Sequence, residues 1–326
     1  MYTPLSTTNE SPFSVYFSFI DEWGFYGYNE YSHEEGVLML YKKKVALQDF
    51  TSAQLPKNRI ESVIDICRTR FTALIGLGLI LLLFSMPFII HLLLSNITIY
   101  EINLAHNLGH ITEMDARDQL FNAFTFRHII SIPLLLIFGI GLSGVTRLLR
   151  QLLFLEPLFF FEDFKHGVKT YGKYNLIILG LFGIINFIFQ TLLRLPNAQT
   201  NSAFYLSTLI VAFIVLIFFI LIGYYSWVQN SLYTLSFKGL LKNSLLFSMR
   251  YFFKTVVVLM VFIPWTLLLI PYAFGFILVI IILTIVILPI ELLIILAFGY
   301  AIMDDNINQK HYPSIYRKGL WTHESN

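Results

Sequence analysis

Along this chain the hydrophobic positions come in blocks instead of alternating or helical stripes. A window of about 19 residues picks out apolar stretches near 71–95, 129–146, 174–195, 203–228, 251–272 and 275–303. Roughly 20 apolar residues carry a helix across ~30 Å of hydrocarbon, so the pattern predicts six transmembrane helices. The block from Val256 to Met303 holds 48 residues with Glu291 as its one charged side chain. As a single helix it would run about 70 Å, so it must reverse. Pro271-Tyr272-Ala273-Phe274-Gly275 is the predicted turn, because Pro271 cannot donate a backbone hydrogen bond and Gly275 accepts tight dihedrals. Arg147 and Arg150 close the second stretch early, and its helix is expected to be able to run on along the membrane surface through Leu152–Phe161.

The polar blocks divide the rest. Residues 1–70 are tyrosine- and acid-rich around Asp21-Glu22-Trp23-Gly24-Phe25-Tyr26-Gly27-Tyr28 and basic at Lys42–Lys44, and read as a cytoplasmic or interfacial segment. Residues 71–303 form the membrane domain and 304–326 a cytoplasmic tail. Between the first two spans, Asn96 to His128 leaves room for a short external helix or two.

Composition sharpens the class. With 56% hydrophobic and 13% charged residues and a mean hydropathy of +0.70, the chain lies outside the range of soluble domains, which carry about 25% charge. The fold class is all-α, a polytopic six-helix bundle. A net charge of +2, without a zinc-finger or RNA-binding signature, gives no reason to expect nucleic acid as a partner. Met1–Phe19 has no cationic stretch ahead of a short apolar core, so no cleaved signal peptide is expected. The single cysteine, Cys67, excludes an internal disulfide. Beside Arg68 and Arg70 it could be acylated, but an inert thiol is the better reading.

Lysines and arginines set the expected orientation. Alternate segments between spans hold nineteen and three of them, which by the positive-inside rule places both termini in the cytoplasm. Two of the basic segments echo each other. Phe164-Lys165-His166-Gly167-Val168-Lys169 and Phe237-Lys238-Gly239-Leu240-Leu241-Lys242 share Phe-Lys-x-x-x-Lys, which puts each lysine pair on one helix face beside an interfacial aromatic. Lys165, Lys169, Lys238 and Lys242 are therefore candidates for lipid-headgroup or partner contact, with simple topology anchors as the blander reading.

Three polar groups inside or beside the spans are candidate chemistry. Glu291 follows Pro289, which frees a carbonyl one turn earlier near Ile285 and opens a polar spot in the helix. A carboxyl there costs at least a few kcal/mol. Interhelical hydrogen bonding is its favoured role, and a proton or cation relay the alternative. Asn186 and Gln190, at i and i+4 on the third span, are its candidate partners. His106-Asn107-Leu108-Gly109-His110-Ile111-Thr112-Glu113 has the H-x3-H-x2-E spacing that would put His106, His110 and Glu113 on one helical face for a metal. A solvated loop is preferred, since Gly109 weakens the helix and Asn107 stands where a metalloprotease would carry its glutamate. Phosphate loops, nucleophile elbows and H-E-x-x-H are absent from the sequence, and no cofactor is expected.

Leu81-Leu82-Leu83-Phe84-Ser85-Met86-Pro87-Phe88, Gly141-Leu142-Ser143-Gly144-Val145-Thr146-Arg147, Phe160–Lys173 and Leu240-Leu241-Lys242-Asn243-Ser244-Leu245-Leu246, taken in order, resemble the YesL-like family of bacterial integral membrane proteins. The resemblance covers roughly residues 70–300. It implies a compact helical protein of the bacterial cytoplasmic membrane, in some cases associated with carbohydrate uptake, with no established reaction and so no catalytic residue to carry over. The extended N-terminus and long first external loop depart from that pattern. The expected function is a non-enzymatic accessory or regulatory partner of an envelope or transport system. The alternative is a small secondary transporter or channel using Glu291.

Overall fold

The computed structural model describes residues 55–194, 202–262 and 277–321. Helix is the only regular secondary structure among the described residues, with no strand. In chain order the helices are α1 (Arg59–Thr69), α2 (Phe71–Asn107), α3 (Glu113–Leu153), α4 (Phe160–Arg194), α5 (Ser202–Leu232), α6 (Phe237–Arg250), α7 (Phe252–Phe262) and α8 (Ile277–Met303). A π-helical turn at Asp304–Asn308 and a last short turn, Gln309–His311, follow α8.

Helices α2, α3, α4, α5 and α8 are long and apolar enough to cross a membrane, and the bent pair α6–α7 makes a sixth if it counts as one span. The protein is a multi-pass membrane protein. Helix α7 lies where the fifth span is expected; the rest of that span, and the reversal at Pro271–Gly275, fall outside the described residues, as do residues 1–54 of the N-terminal segment. The described end of that segment forms α1. Asn58 starts it as a reciprocal cap, its Oδ1 accepting from Glu61 N at 2.9 Å while its Nδ2 donates to Glu61 Oε1 at 3.0 Å.

Two stretches expected as loop or surface helix turn out otherwise. Asn96–His128 is not a loop holding short helices: α2 runs on to Asn107 and α3 has begun by Glu113. At 1.5 Å per residue these extensions reach about 18 to 24 Å beyond the apolar blocks. The reversal is confined to Leu108–Thr112, where Gly109 adopts φ +72° and Thr112 caps α3 by accepting from Asp115 N at 3.1 Å. A hydropathy window sees only the lipid-facing part of such a helix.

The second helix likewise does not continue through Leu152–Phe161. It stops at Leu153 in a Schellman closure, with Glu156 N donating to Gln151 O at 2.9 Å and Leu155 N to Leu152 O at 3.2 Å. Leu155 takes the left-handed position at φ 55°, where glycine is usual, and Pro157 prevents the helix from resuming at once. Helix α4 then starts at Phe160, fourteen residues ahead of the apolar stretch that predicted it, with Asp163 Oδ2 accepting from Phe159 N at 2.8 Å.

Helix α3 packs between α2 and α4, while α8 packs on α2 and α1. Small residues allow backbone contact, the usual solution where lipid removes the hydrophobic drive between helices. A Cβ on Gly78 would lie 1.9 Å from the carbonyl oxygen of Ile285, and one on Gly167 would lie 2.9 Å from Ser143 O. The interior is uneven. Of the most apolar stretch of α8, 56% is buried, against 6% for α5, in which no residue from Tyr205 to Ile220 is buried.

Candidate functional site

The densest polar chemistry is not in the middle of the spans. It forms a collar where α3 ends, α4 begins, and α5 and α8 end. Arg150 Nη1 donates to Tyr171 OH at 3.0 Å and to Ser231 O at 3.1 Å. Ser231 Oγ pairs with Tyr300 OH at 2.9 Å. Asn230 Nδ2 donates to Asn175 Oδ1 at 3.0 Å and to Tyr171 O at 3.1 Å, and Asn175 Nδ2 donates to Ser143 Oγ at 3.0 Å. Trp227 Nε1 donates to Thr146 Oγ1 at 2.7 Å. Four helices are thereby tied by hydrogen bonds between buried side chains, with Arg150 Nε and Gln229 Oε1 left over as buried polar atoms without one among the described residues.

A second tier lies beneath it. Arg59 and Asp304 form an ion pair at 2.9 Å with both side chains almost fully buried. Arg59 Nη1 also donates to Lys318 O at 2.9 Å and Leu153 O at 3.3 Å, so one guanidinium gathers α1, the end of α3, the π-helical turn and the tail. Asp304 Oδ1 accepts from Asn308 Nδ2 at 2.7 Å. Asn308 Oδ1 in turn accepts from Tyr233 OH at 2.5 Å. Burial first, then the Asp304 carboxylate, push the Tyr233 phenol far above its ordinary value, so it stays a neutral donor. The ring of Phe154 sits among three cations, with Arg150 at 5.3 Å, Lys318 at 5.5 Å and Arg59 at 5.6 Å from its centroid. Lys318 pairs with Glu156 at 2.5 Å, and Arg147 approaches Asp163 at 3.8 Å.

The collar is built for holding. Its hydroxyls bond carbonyls, amides and other hydroxyls, and its buried carboxylates Asp304 and Asp163 face Arg59 and Arg147. Compared with known proteins, the chain matches no family model, no curated protein and no solved structure.

Glu291 is buried on α8, six residues past the Ile285 carbonyl that meets Gly78. Asn186 and Gln190 are its sequence-expected partners. They lie on α4, which is not among the close neighbours of α8. Gln190 is fifteen residues beyond Asn175, about 22 Å further from the collar. There its Oε1 accepts from Arg194 Nη1 at 2.6 Å, and the Arg194 guanidinium stacks 4.0 Å from the Phe124 ring of α3. Gln190 thus serves its own helix end.

His106, His110 and Glu113 do not share a helical face, because the helix stops at Asn107 and restarts at Glu113. Glu113 pairs with Arg117 at 2.5 Å, and among the described residues no group of three or more histidine, cysteine and acidic side chains could hold a metal.

Lys165, Lys169, Lys238 and Lys242 are all exposed. The helices that carry the two echo segments meet: the rings of Tyr174 on α4 and Phe237 on α6 lie 5.5 Å apart in a tilted pair. Their aromatics act differently, since Phe164 fills the space beside Gly144 and Phe84 instead of sitting at an interface. The collar escaped the sequence reading because Arg147 and Arg150 counted only as loop charges and Arg59 as part of the N-terminal segment. The signal that was present is the recurrence of Ser143, Thr146, Asn175, Ser226, Gln229, Asn230 and Ser231 at the same ends of successive apolar stretches.

Proposed function

We propose that this is a non-enzymatic protein of the bacterial cytoplasmic membrane, with both termini in the cytoplasm, acting as an accessory or regulatory partner of an envelope or transport system. The observation that carries the reading is the collar. Hydrogen bonds through Arg59, Arg150, Asn230 and Asp304 fix α1, the α3 end and the tail as one unit. Around that unit stand exposed cations, Lys165, Lys169, Lys238 and Lys242 among them, none held in an ion pair among the described residues. A rigid end surrounded by free cations suits a contact surface for an acidic partner. The distribution of lysine and arginine supports the orientation. The resemblance to the YesL-like family agrees with the role.

Amine-reactive cross-linking in native membranes tests this. One membrane partner should be recovered repeatedly through the collar lysines, and recovery of the protein alone would refute the role. A second reading has one observation in its favour: Glu291 faces the bundle interior and not lipid. If it relays protons, Glu291→Gln abolishes proton-coupled flux in reconstituted vesicles. Unchanged flux removes that reading.

A further inference from the structure

Helices α6 and α7 meet at 89° across Tyr251. Helix α7 begins the apolar run of the fifth span, so a near-right-angle turn lays α6 in the plane of the membrane surface. One side of α6 is committed to α5: Leu240, Ser244 and Ser248 are buried, with Ser244 Oγ accepting from Ser226 Oγ at 2.9 Å and from Gln229 Nε2 at 3.1 Å. The opposite side carries Lys238, Lys242, Leu245, Leu246 and Met249, all exposed. Phe253, at the start of α7, is 81% exposed.

This face has two properties that do not coexist on a water-facing helix. Leu246, Met249 and Phe253 are large apolar groups left more than half open, and they lie among Lys238, Lys242, Arg250 and Lys254. From Phe237 to Phe262 the chain contains no acidic residue. Lys173, stacked on Tyr174, adds another cation beside Phe237. At the far end Tyr251 OH donates to Asn306 Oδ1 at 2.8 Å, and the exposed Asp305 is the neighbour of Asn306 in the chain. An apolar face interspersed with lysines, held parallel to the membrane, matches the boundary between acyl chains and anionic headgroups.

We infer that α6 is an in-plane docking helix for anionic phospholipid, with Leu245, Leu246, Met249 and Phe253 entering the acyl boundary and Lys238, Lys242 and Lys254 meeting lipid phosphates. The inference needs only the bilayer and is independent of any protein partner. Because Ser244 is bonded to α5, lipid gripping α6 also restrains the inner end of α5.

The test uses the full chain reconstituted in phosphatidylcholine vesicles with trace spin-labelled phosphatidylglycerol or spin-labelled phosphatidylcholine. A lysine near an anionic surface contributes on the order of a fivefold preference. The wild type should therefore select phosphatidylglycerol severalfold at low salt and lose most of that selection at high salt. The triple change Lys238→Gln, Lys242→Gln, Lys254→Gln should remove most of the preference. A control of equal charge change, Lys57→Gln, Arg68→Gln, Lys310→Gln, should retain it. The proposal fails if the wild type shows no preference, if the α6 variant keeps it, or if both variants lose it equally. It also fails if Leu246→Cys in a Cys67→Ser background cross-links a second copy as efficiently at high lipid dilution as at low, because the face is then a protein interface.

Discussion

Arg59 and Asp304 stand 245 positions apart and meet at 2.9 Å with both side chains out of solvent. The pair joins a helix that precedes the first span to the turn that follows the last. Its charges are further met by Lys318 O, Leu153 O and the Asn308 amide, the added hydrogen bonds that a buried ion pair requires. Arg317 extends the clasp by donating to Lys57 O at 2.8 Å, and Trp321 N donates to Pro56 O at 2.9 Å.

Breaking this pair from one side leaves a buried charge without its counterion. Asp304→Ala and Arg59→Ala are each expected to destabilise the folded protein by about 3–5 kcal/mol. Removing both charges with apolar replacements, Arg59→Met with Asp304→Leu, should cost less than either single change. Thermal unfolding in a fixed detergent, followed by circular dichroism, checks this. Additive losses in the double variant would mean the two residues act separately.

Two glycines of α4, five residues apart, give opposite expectations. A Cβ on Gly167 would meet Arg147 Cβ at 2.7 Å and the carbonyl oxygens of Ser143 and Gly144 at 2.9 and 3.0 Å, and backbone cannot move aside cheaply. A Cβ on Gly172 meets nothing nearer than Val168 Cγ1 at 4.0 Å. Gly167→Ala should destabilise by about 1–3 kcal/mol, as overpacking does. Gly172→Ala should be neutral or stabilising by up to about 1 kcal/mol, because alanine is the better helix former. Parallel melting curves of the two variants decide it; equal effects would contradict the close approach of α3 and α4.

The end of α3 predicts a gain from an unusual direction. Leu155 holds the left-handed position of a Schellman closure, where a side chain clashes with its own carbonyl. Its side chain is more than one-third exposed and contributes little to the core. Leu155→Gly is expected to stabilise by about 1 kcal/mol through relief of that strain. A lower melting temperature in the variant would show that the Leu155 side chain matters more than its backbone.

The spans were legible because lipid exposure demands continuous apolar sequence, and the blocks starting at Phe71 and ending at Met303 fall on α2 and α8 almost to the residue at those ends. The other boundaries were not. A helix that leaves the membrane keeps its backbone hydrogen bonds while its sequence turns polar, so hydropathy lost α3 over Glu113–His128 and α4 over Phe160–Lys173. Pro157 was the readable mark of the break between them. The collar was hidden for another reason. Its partners are separated by tens to hundreds of residues, as with Arg59 and Asp304 or Arg150 and Ser231, and local spacing carries no information about such pairs. Spacing misled in the converse way at His106 and His110, where a helix end intervenes.

Cys67 supplies a probe of orientation that needs no added label site, because it is the chain's single cysteine and lies on α1 ahead of the first span. Burial raises its thiol above the ordinary cysteine value. The thiolate is the reactive form, so at any pH below that raised value a smaller fraction is available than in a free thiol. Alkylation should accordingly be several times slower than that of a model thiol at neutral pH. It should quicken with pH, and its midpoint should lie above that of the model compound. If both termini are cytoplasmic, a membrane-impermeant maleimide at mildly alkaline pH modifies Cys67 in inside-out vesicles and leaves it untouched in right-side-out ones. Modification only in right-side-out vesicles would invert the bundle and transfer the lysines of α6 to the opposite leaflet.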